Sequence, residues 1–227
     1  MSERAALVTG ASSGIGEAVA RALAEDGFGV TLAARRVEPL EQLAEELGGL
    51  AVPTDVADSA QVRTLVERAV ERFGRLDAVV TAAGVLHTAP VEDLDEATWD
   101  ETIDVNLKGT YLVAQAALPH LRASRGYLIT LSSVSGQMGQ PGGGAYNASK
   151  WAIRGFTQSL LQEVRGDGVR ATAILPGRVA TPMLGSAEAE HDPNLLAPED
   201  VADAVRWLLS LRPVVQIKDL VLERTTA

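Results

Sequence analysis

Tyr146 and Lys150 stand four residues apart, and Ser133 precedes the tyrosine by thirteen. On a helix, positions i and i+4 lie on one face, so both side chains can project into a single cleft. A phenol with an ordinary pKa near ~10 transfers protons poorly at neutral pH, and an ammonium beside it favours the phenolate. The pair therefore reads as a tunable acid/base. Taken alone, Tyr-x-x-x-Lys also decorates ordinary helices with the lysine solvated, so its meaning depends on what surrounds it.

The elements that must hold this pair are legible as short apolar runs alternating with helix-like spacing. The runs are Ala5 to Thr9, Val30 to Ala33, Leu50 to Val52, Ala78 to Ala82, Tyr127 to Leu131, Ala171 to Leu175 and Val215 to Val221; helical spacing occupies about 17–26, 38–47, 59–73, 97–122, 146–165 and 198–210. Near-continuous apolar strands alternating with helices imply a parallel sheet covered on both faces. The expected fold is a doubly wound α/β domain with about seven strands. Asp58-Ser59 and Pro198-Glu199-Asp200 carry helix-start signals, and Gly166 and Gly168 can end the helix of the Tyr/Lys pair. No repeat, low-complexity tract or linker interrupts residues 1–227, so one domain is expected.

After the first strand comes Thr9-Gly10-Ala11-Ser12-Ser13-Gly14-Ile15-Gly16, leading into a helix. Such a turn lets the backbone approach a pyrophosphate while the helix N-terminus presents unpaired N–H groups to it. The spacing is G-x-x-x-G-x-G, not the commonest dinucleotide fingerprint, and with 21 glycines a structural turn is the competing reading. An NAD site usually places an acid at the end of the second strand for the ribose 2′-hydroxyl. This chain has Ala34-Arg35-Arg36 there, which favours NADP(H), because guanidiniums bind a phosphate and no carboxylate repels it. Arg35 is the expected phosphate ligand, with one of the two arginines merely solvating the loop.

Composition narrows the alternatives. The chain is 46% hydrophobic and 22% charged, as globular proteins are, and its formal net charge of -10 disfavours nucleic acid and anionic membranes. No apolar run approaches the ~18 residues of a membrane span, and Met1-Ser2-Glu3-Arg4 passes directly into the first apolar run without a signal-peptide pattern. The expected location is the cytoplasm. There is no cysteine, and His87, His120 and His191 are too scattered for a local metal motif, so no metal is expected.

Taken in order, the Thr9 to Gly16 loop, Asp55-Val56, Asn106, Ser133, Tyr146 with Lys150, and Pro176-Gly177 resemble the short-chain dehydrogenase/reductase family over essentially the whole chain. The resemblance implies a Rossmann fold and a role for each matching position. Tyr146 would exchange the proton with the substrate oxygen, Ser133 would orient that oxygen, and Lys150 would hold the nicotinamide ribose and depress the tyrosine pKa. Asn106 would hold a water linking Lys150 to solvent. Gly10, Ser12, Ser13, Gly14, Ile15, Gly16, Arg35, Arg36, Asp55, Val56, Ala83, Gly84, Pro176, Gly177, Val179 and Thr181 would contact the cofactor together with Tyr146 and Lys150. Asp55 would meet the adenine, and Thr181 with the Val179 backbone would hold the carboxamide. Individually these residues also have plain structural readings as turn formers and strand-end hydroxyls; Ser132 is a poorer candidate than Ser133. One departure is Thr81-Ala82-Ala83-Gly84, where the family usually has Asn-Asn-Ala-Gly, which puts the local hydrogen bonding in question.

The implied activity is NADP(H)-dependent hydride transfer to or from a small or medium carbonyl compound or alcohol without strong negative charge. Substrate choice is expected from the Ser135 to Gly144 loop, His87, Arg178 and a short segment at about 182–197. The resemblance further implies that the two long helices, about 97–122 and 146–165, pack against their copies in a homodimer or homotetramer. A nonenzymatic NADP(H)-binding protein would not need the catalytic quartet, and a methyl-transfer enzyme would want an acid near the second strand end.

Overall fold

Successive residues of an extended strand point to opposite faces. In the computed structural model, which describes residues 4–185 and 195–225, that alternation feeds two separate cores. Ala6 and Val8 pack under one helix layer and Leu7 under the other. The strands are β1 (Arg4–Thr9), β2 (Phe28–Ala34), β3 (Leu50–Pro53), β4 (Ala78–Thr81), β5 (Tyr127–Leu131), β6 (Arg170–Pro176) and β7 (Asp219–Leu222). They form one parallel sheet in the order β3-β2-β1-β4-β5-β6-β7.

Helices α1 (Gly14–Glu25), α2 (Val37–Leu47) and α7 (Pro198–Ser210) cover one face, and α3 (Ser59–Phe73), α5 (Gly109–Ser124) and α6 (Gly144–Val164) the other. Each layer presents a helical stripe to the sheet, such as Val19 and Leu23 of α1 or Val113, Ala117 and Leu121 of α5, all buried. Burying each of these valine and leucine side chains contributes roughly 1.5–3 kcal/mol. The start signal at Asp58 is realised, since its carboxylate accepts from the N–H groups of Ala60 at 2.8 Å and Gln61 at 3.2 Å.

Two elements differ from the sequence pattern. The helix expected over 97–122 is α4 (Glu96–Thr102), then a π-helical turn at Ile103–Lys108, then α5. The extra residue of such a turn re-aims the side chains beside it, and here Asn106 is fully buried. The last strand is shorter than Val215 to Val221 because Val215 closes a turn onto the Arg212 carbonyl. The side chain of Gln216 then takes the place of strand backbone, donating to the Ala171 carbonyl at 2.6 Å and accepting from its N–H at 3.4 Å. Among the described residues no helix is long and apolar enough to cross a membrane.

Candidate active site

The strand order reverses between β1 and β4, and in open parallel sheets a crevice opens there beyond the carboxyl ends. The turn after β1 needs its glycines. Gly10 has φ +69°, and a Cβ on it would lie 2.7 Å from the Ala82 carbonyl oxygen, while a Cβ on Gly16 would collide with the Gly10 carbonyl. The turn therefore lies flat against the segment after β4, and α1 begins beneath it. Ser13 precedes α1 without a side-chain cap, so the first-turn N–H groups keep the capacity to bind an anion.

This turn forms one wall of a cavity of about 250 Å³. Gly10, Ser12, Ser13, Gly14, Ile15 and Gly16 line it, with Arg35, Arg36, Asp55, Val56, Ala83, Gly84 and Thr181. The two arginines are held differently. Arg36 donates from Nη2 to the Ser12 carbonyl and hydroxyl, both at 3.1 Å, and from Nε to that hydroxyl at 3.3 Å. Arg35, the residue expected to hold a phosphate, instead leans toward Glu101 at 4.0 Å. Asp55 shapes its own turn, accepting from the Ala57 N–H at 3.0 Å through Oδ1.

A second cavity of about 220 Å³ adjoins the first, with Ile15, Thr181 and Met183 lining both. Its wall holds Ser133 and Tyr146, together with Pro176, Gly177 and Val179. Tyr146 lies in the first turn of α6, and Ser133 follows β5 in extended backbone. The Ser133 hydroxyl accepts from the Ser135 N–H at 3.1 Å. Its contact with the Pro176 carbonyl is long, 3.4 Å, so its hydrogen can turn to the Tyr146 phenol. Ser132 is instead committed to structure, donating to the Lys150 carbonyl at 2.8 Å.

Lys150 and Asn106 line neither cavity. The Lys150 ammonium sits 5.5 Å from the centre of the Tyr146 ring and donates to the Leu131 carbonyl at 2.9 Å. Burial pulls its pKa down to about 8. Burial also pushes the Tyr146 phenol above its ordinary value, against the hydrogen bond from Ser133. The phenol is thus raised by desolvation, where a lowering by the lysine was expected. Asn106 accepts from the Val85 N–H at 2.8 Å and donates to the Val85 carbonyl at 3.0 Å and the Ser149 hydroxyl at 3.1 Å. Its amide thus fastens the segment after β4 to α6, beside Lys150.

The expected substrate residues divide. Ser135, Gln140, Pro141 and Gly143 line the second cavity, as do Arg178, Met183 and Leu184; residues 186–194 of the expected substrate segment, with Glu188, Glu190, His191 and Asp192, lie outside the described residues. His87 does not line it. Its neighbours Leu86 and Thr88 do, while the His87 ring meets Glu101 at 3.0 Å. Alternation along an extended segment would have pointed to 86 and 88 had 87 been read as facing away. Asn147 also lines the cavity and donates to the Ser135 and Met138 carbonyls at 3.1 and 2.6 Å; its place beside Tyr146 was the available signal. At the Thr81-Ala82 departure, the Thr81 hydroxyl is buried without a hydrogen-bond partner, and the Ala83 N–H bonds to the Thr9 hydroxyl at 3.2 Å.

Comparison with known proteins agrees with this geometry. An uncharacterised oxidoreductase of Staphylococcus aureus is 39% identical over 224 residues, 97% of this chain and 96% of that protein. An alcohol dehydrogenase of Thermococcus sibiricus, solved with 5-hydroxy-NADP, superposes with a TM-score of 0.89 at 37% identity, covering 97% of this chain and 96% of its own. A 3-ketoacyl-(acyl-carrier-protein) reductase of Brucella melitensis, solved with NADH, gives 0.91 at 27% identity, covering 98% and 97%. The family model for short chain dehydrogenases matches residues 4–192. With that match spanning most of the chain, and the glycine turn, Ser133 and Tyr146 gathered at one crevice with Lys150 buried behind the tyrosine, the chain belongs to the short-chain dehydrogenase family of oxidoreductases.

Proposed function

We propose that the chain is an NADP(H)-dependent oxidoreductase acting on a small or medium carbonyl compound or alcohol, with Tyr146 as the general acid/base. The observation that carries this reading is the junction of the two cavities, with the anion-binding turn of α1 in one and the Ser133 and Tyr146 hydroxyls in the other. The glycine cradle and the uncapped start of α1 fit a dinucleotide pyrophosphate. When bound, the cofactor supplies the hydride chemistry. The complexes of the two solved relatives support a nicotinamide dinucleotide, and since one of them holds NADH, the preference for NADP(H) rests on Ala34, Arg35 and Arg36.

In reduction the Tyr146 phenol donates its proton to the substrate oxygen, and the Ser133 hydroxyl orients that oxygen. A phenol kept protonated by burial suits this direction. Lys150 supplies a positive charge behind the phenol and would hold the ribose of a bound cofactor; with its pKa lowered to about 8 by burial, it can also pass a proton inward. Asn106 fixes the wall beside Lys150. With its amide committed, a relaying water would use its backbone carbonyl, one lone pair of which accepts from the Thr110 hydroxyl at 2.7 Å. A cytoplasmic place of work belongs to the same proposal.

The test is nicotinamide absorbance with NADPH and NADH against a panel of aldehydes, ketones and the matching alcohols. Turnover that is faster with NADPH and lost in Tyr146→Phe supports the reading. Cofactor binding with no turnover on any member of the panel would favour a nonenzymatic NADP(H)-binding protein instead.

A further inference from the structure

We infer that Glu101 sets how strongly the chain discriminates between phosphorylated and unphosphorylated dinucleotides, by competing with the ribose 2′-phosphate for Arg35; this rests on the NADP(H) reading above. The two arginines after β2 are not equivalent. Arg36 is already seated on the glycine turn by its three contacts with Ser12. Arg35 lines the same cavity but its side chain, 60% exposed, reaches across to α4, where Nη1 lies 4.0 Å from Glu101 Oε1. The other carboxylate oxygen is 3.0 Å from His87 Nε2, which holds Glu101 in place opposite Arg35.

A guanidinium offers a carboxylate or a phosphate the same planar fork of donors, so a phosphate that takes Arg35 must take it from Glu101. The carboxylate left beside it also repels the bound dianion. An unphosphorylated ribose meets neither effect. Glu101 therefore weakens NADPH binding selectively, and its removal should widen the gap between NADPH and NADH. The pair is largely exposed, so the effect is modest, roughly two- to fivefold in affinity.

The experiment measures dissociation constants for NADPH and NADH by protein fluorescence in the wild type, Glu101→Gln, Arg35→Ala, Arg36→Ala and the Glu101→Gln/Arg35→Ala double variant, at low and at high salt. NADPH should bind roughly two- to fivefold tighter to Glu101→Gln, NADH unchanged, with the gain fading as salt screens the charges. In the Arg35→Ala background, Glu101→Gln should do nothing for NADPH, as a double-mutant cycle requires of residues that act on each other. If Arg35→Ala weakens NADPH while Glu101→Gln leaves it unchanged, or tightens both nucleotides alike, the inference falls and the cofactor reading stands. If neither Arg35→Ala nor Arg36→Ala alters the NADPH to NADH ratio, the cofactor reading falls and takes the inference with it.

Discussion

Replacing Lys150 by methionine will change how stability responds to alkaline pH. The lysine is buried behind Tyr146 with a pKa of about 8, against 10.5 for the free side chain. Between those values the unfolded chain carries a proton that the folded chain has released, so folding gains stability as pH rises. The contribution is complete above 10.5 and lost as pH falls through about 8; below that, both states hold the proton and the curve is flat. A drop of about 2.5, at about 1.4 kcal/mol for each unit, amounts to about 3 kcal/mol. Methionine fills much of the same space and does not titrate. Losing the bond to the Leu131 carbonyl adds a constant offset, and the remaining groups titrate in both proteins and largely cancel. Urea unfolding followed by circular dichroism at pH 7, 8, 9 and 10 gives the difference directly. Wild type minus variant should be nearly level from pH 7 to 8 and then climb by roughly 2.5 kcal/mol by pH 10, most of the full ~3 kcal/mol. Parallel curves across the whole range would mean that Lys150 keeps its ordinary pKa and refute the desolvation argument.

Tyr146→Phe removes only the phenolic oxygen, so NADPH titration should be little changed while turnover falls at least ~100-fold, the usual contribution of a general acid or base; near-normal turnover would reopen the site assignment. Thr81→Val replaces an orphaned buried hydroxyl with a methyl of the same shape and should stabilise by about 1 kcal/mol, a rise of roughly 2–4 °C in the thermal midpoint by calorimetry. A fall would reveal a partner for that hydroxyl. Tyr111 and Trp151, 42% and 50% exposed on α5 and α6, are expected to sit in a self-association interface. Tyr111→Lys with Trp151→Lys should therefore sediment as a smaller species than wild type, and a wild-type monomer at micromolar concentration would contradict the interface.

Much of the framework is legible because local rules and the global fold agree. The glycine turn can be read because a strand, a tight turn and a helix start must follow one another for that spacing to be useful, and Gly10 and Gly16 occupy positions where any side chain collides. Tyr146 and Lys150 can be read because helical spacing alone brings them to one face. The arginines cannot be ranked that way. Consecutive residues leave a strand on opposite sides, and Arg36 turns back to Ser12 as the residue that precedes α2. Glu101 resembles any acid on a solvated helix until α4 is placed opposite the end of β2. The pKa of Lys150 depends on depth of burial, which no spacing encodes. Only the start of the final strand is misread, because a side chain, that of Gln216, takes bonds that apolar patterning attributes to backbone.

The π-helical turn at Ile103–Lys108 makes the register between α4 and α5 a matter of residue count. Each residue of a helix advances the face by about 100°. Deleting one residue from this turn would give a locally more regular helix, yet it would rotate one side against the other by about that angle. Either Asn106 would leave Val85 and Ser149, or the stripe of Val113, Ala117 and Leu121 would leave the sheet. Substitution can explore this segment one side chain at a time, whereas a change in its length must be matched by a second change in length nearby. A single-codon deletion here is thus an allele that selection should remove, even though the helix it leaves behind is the better helix.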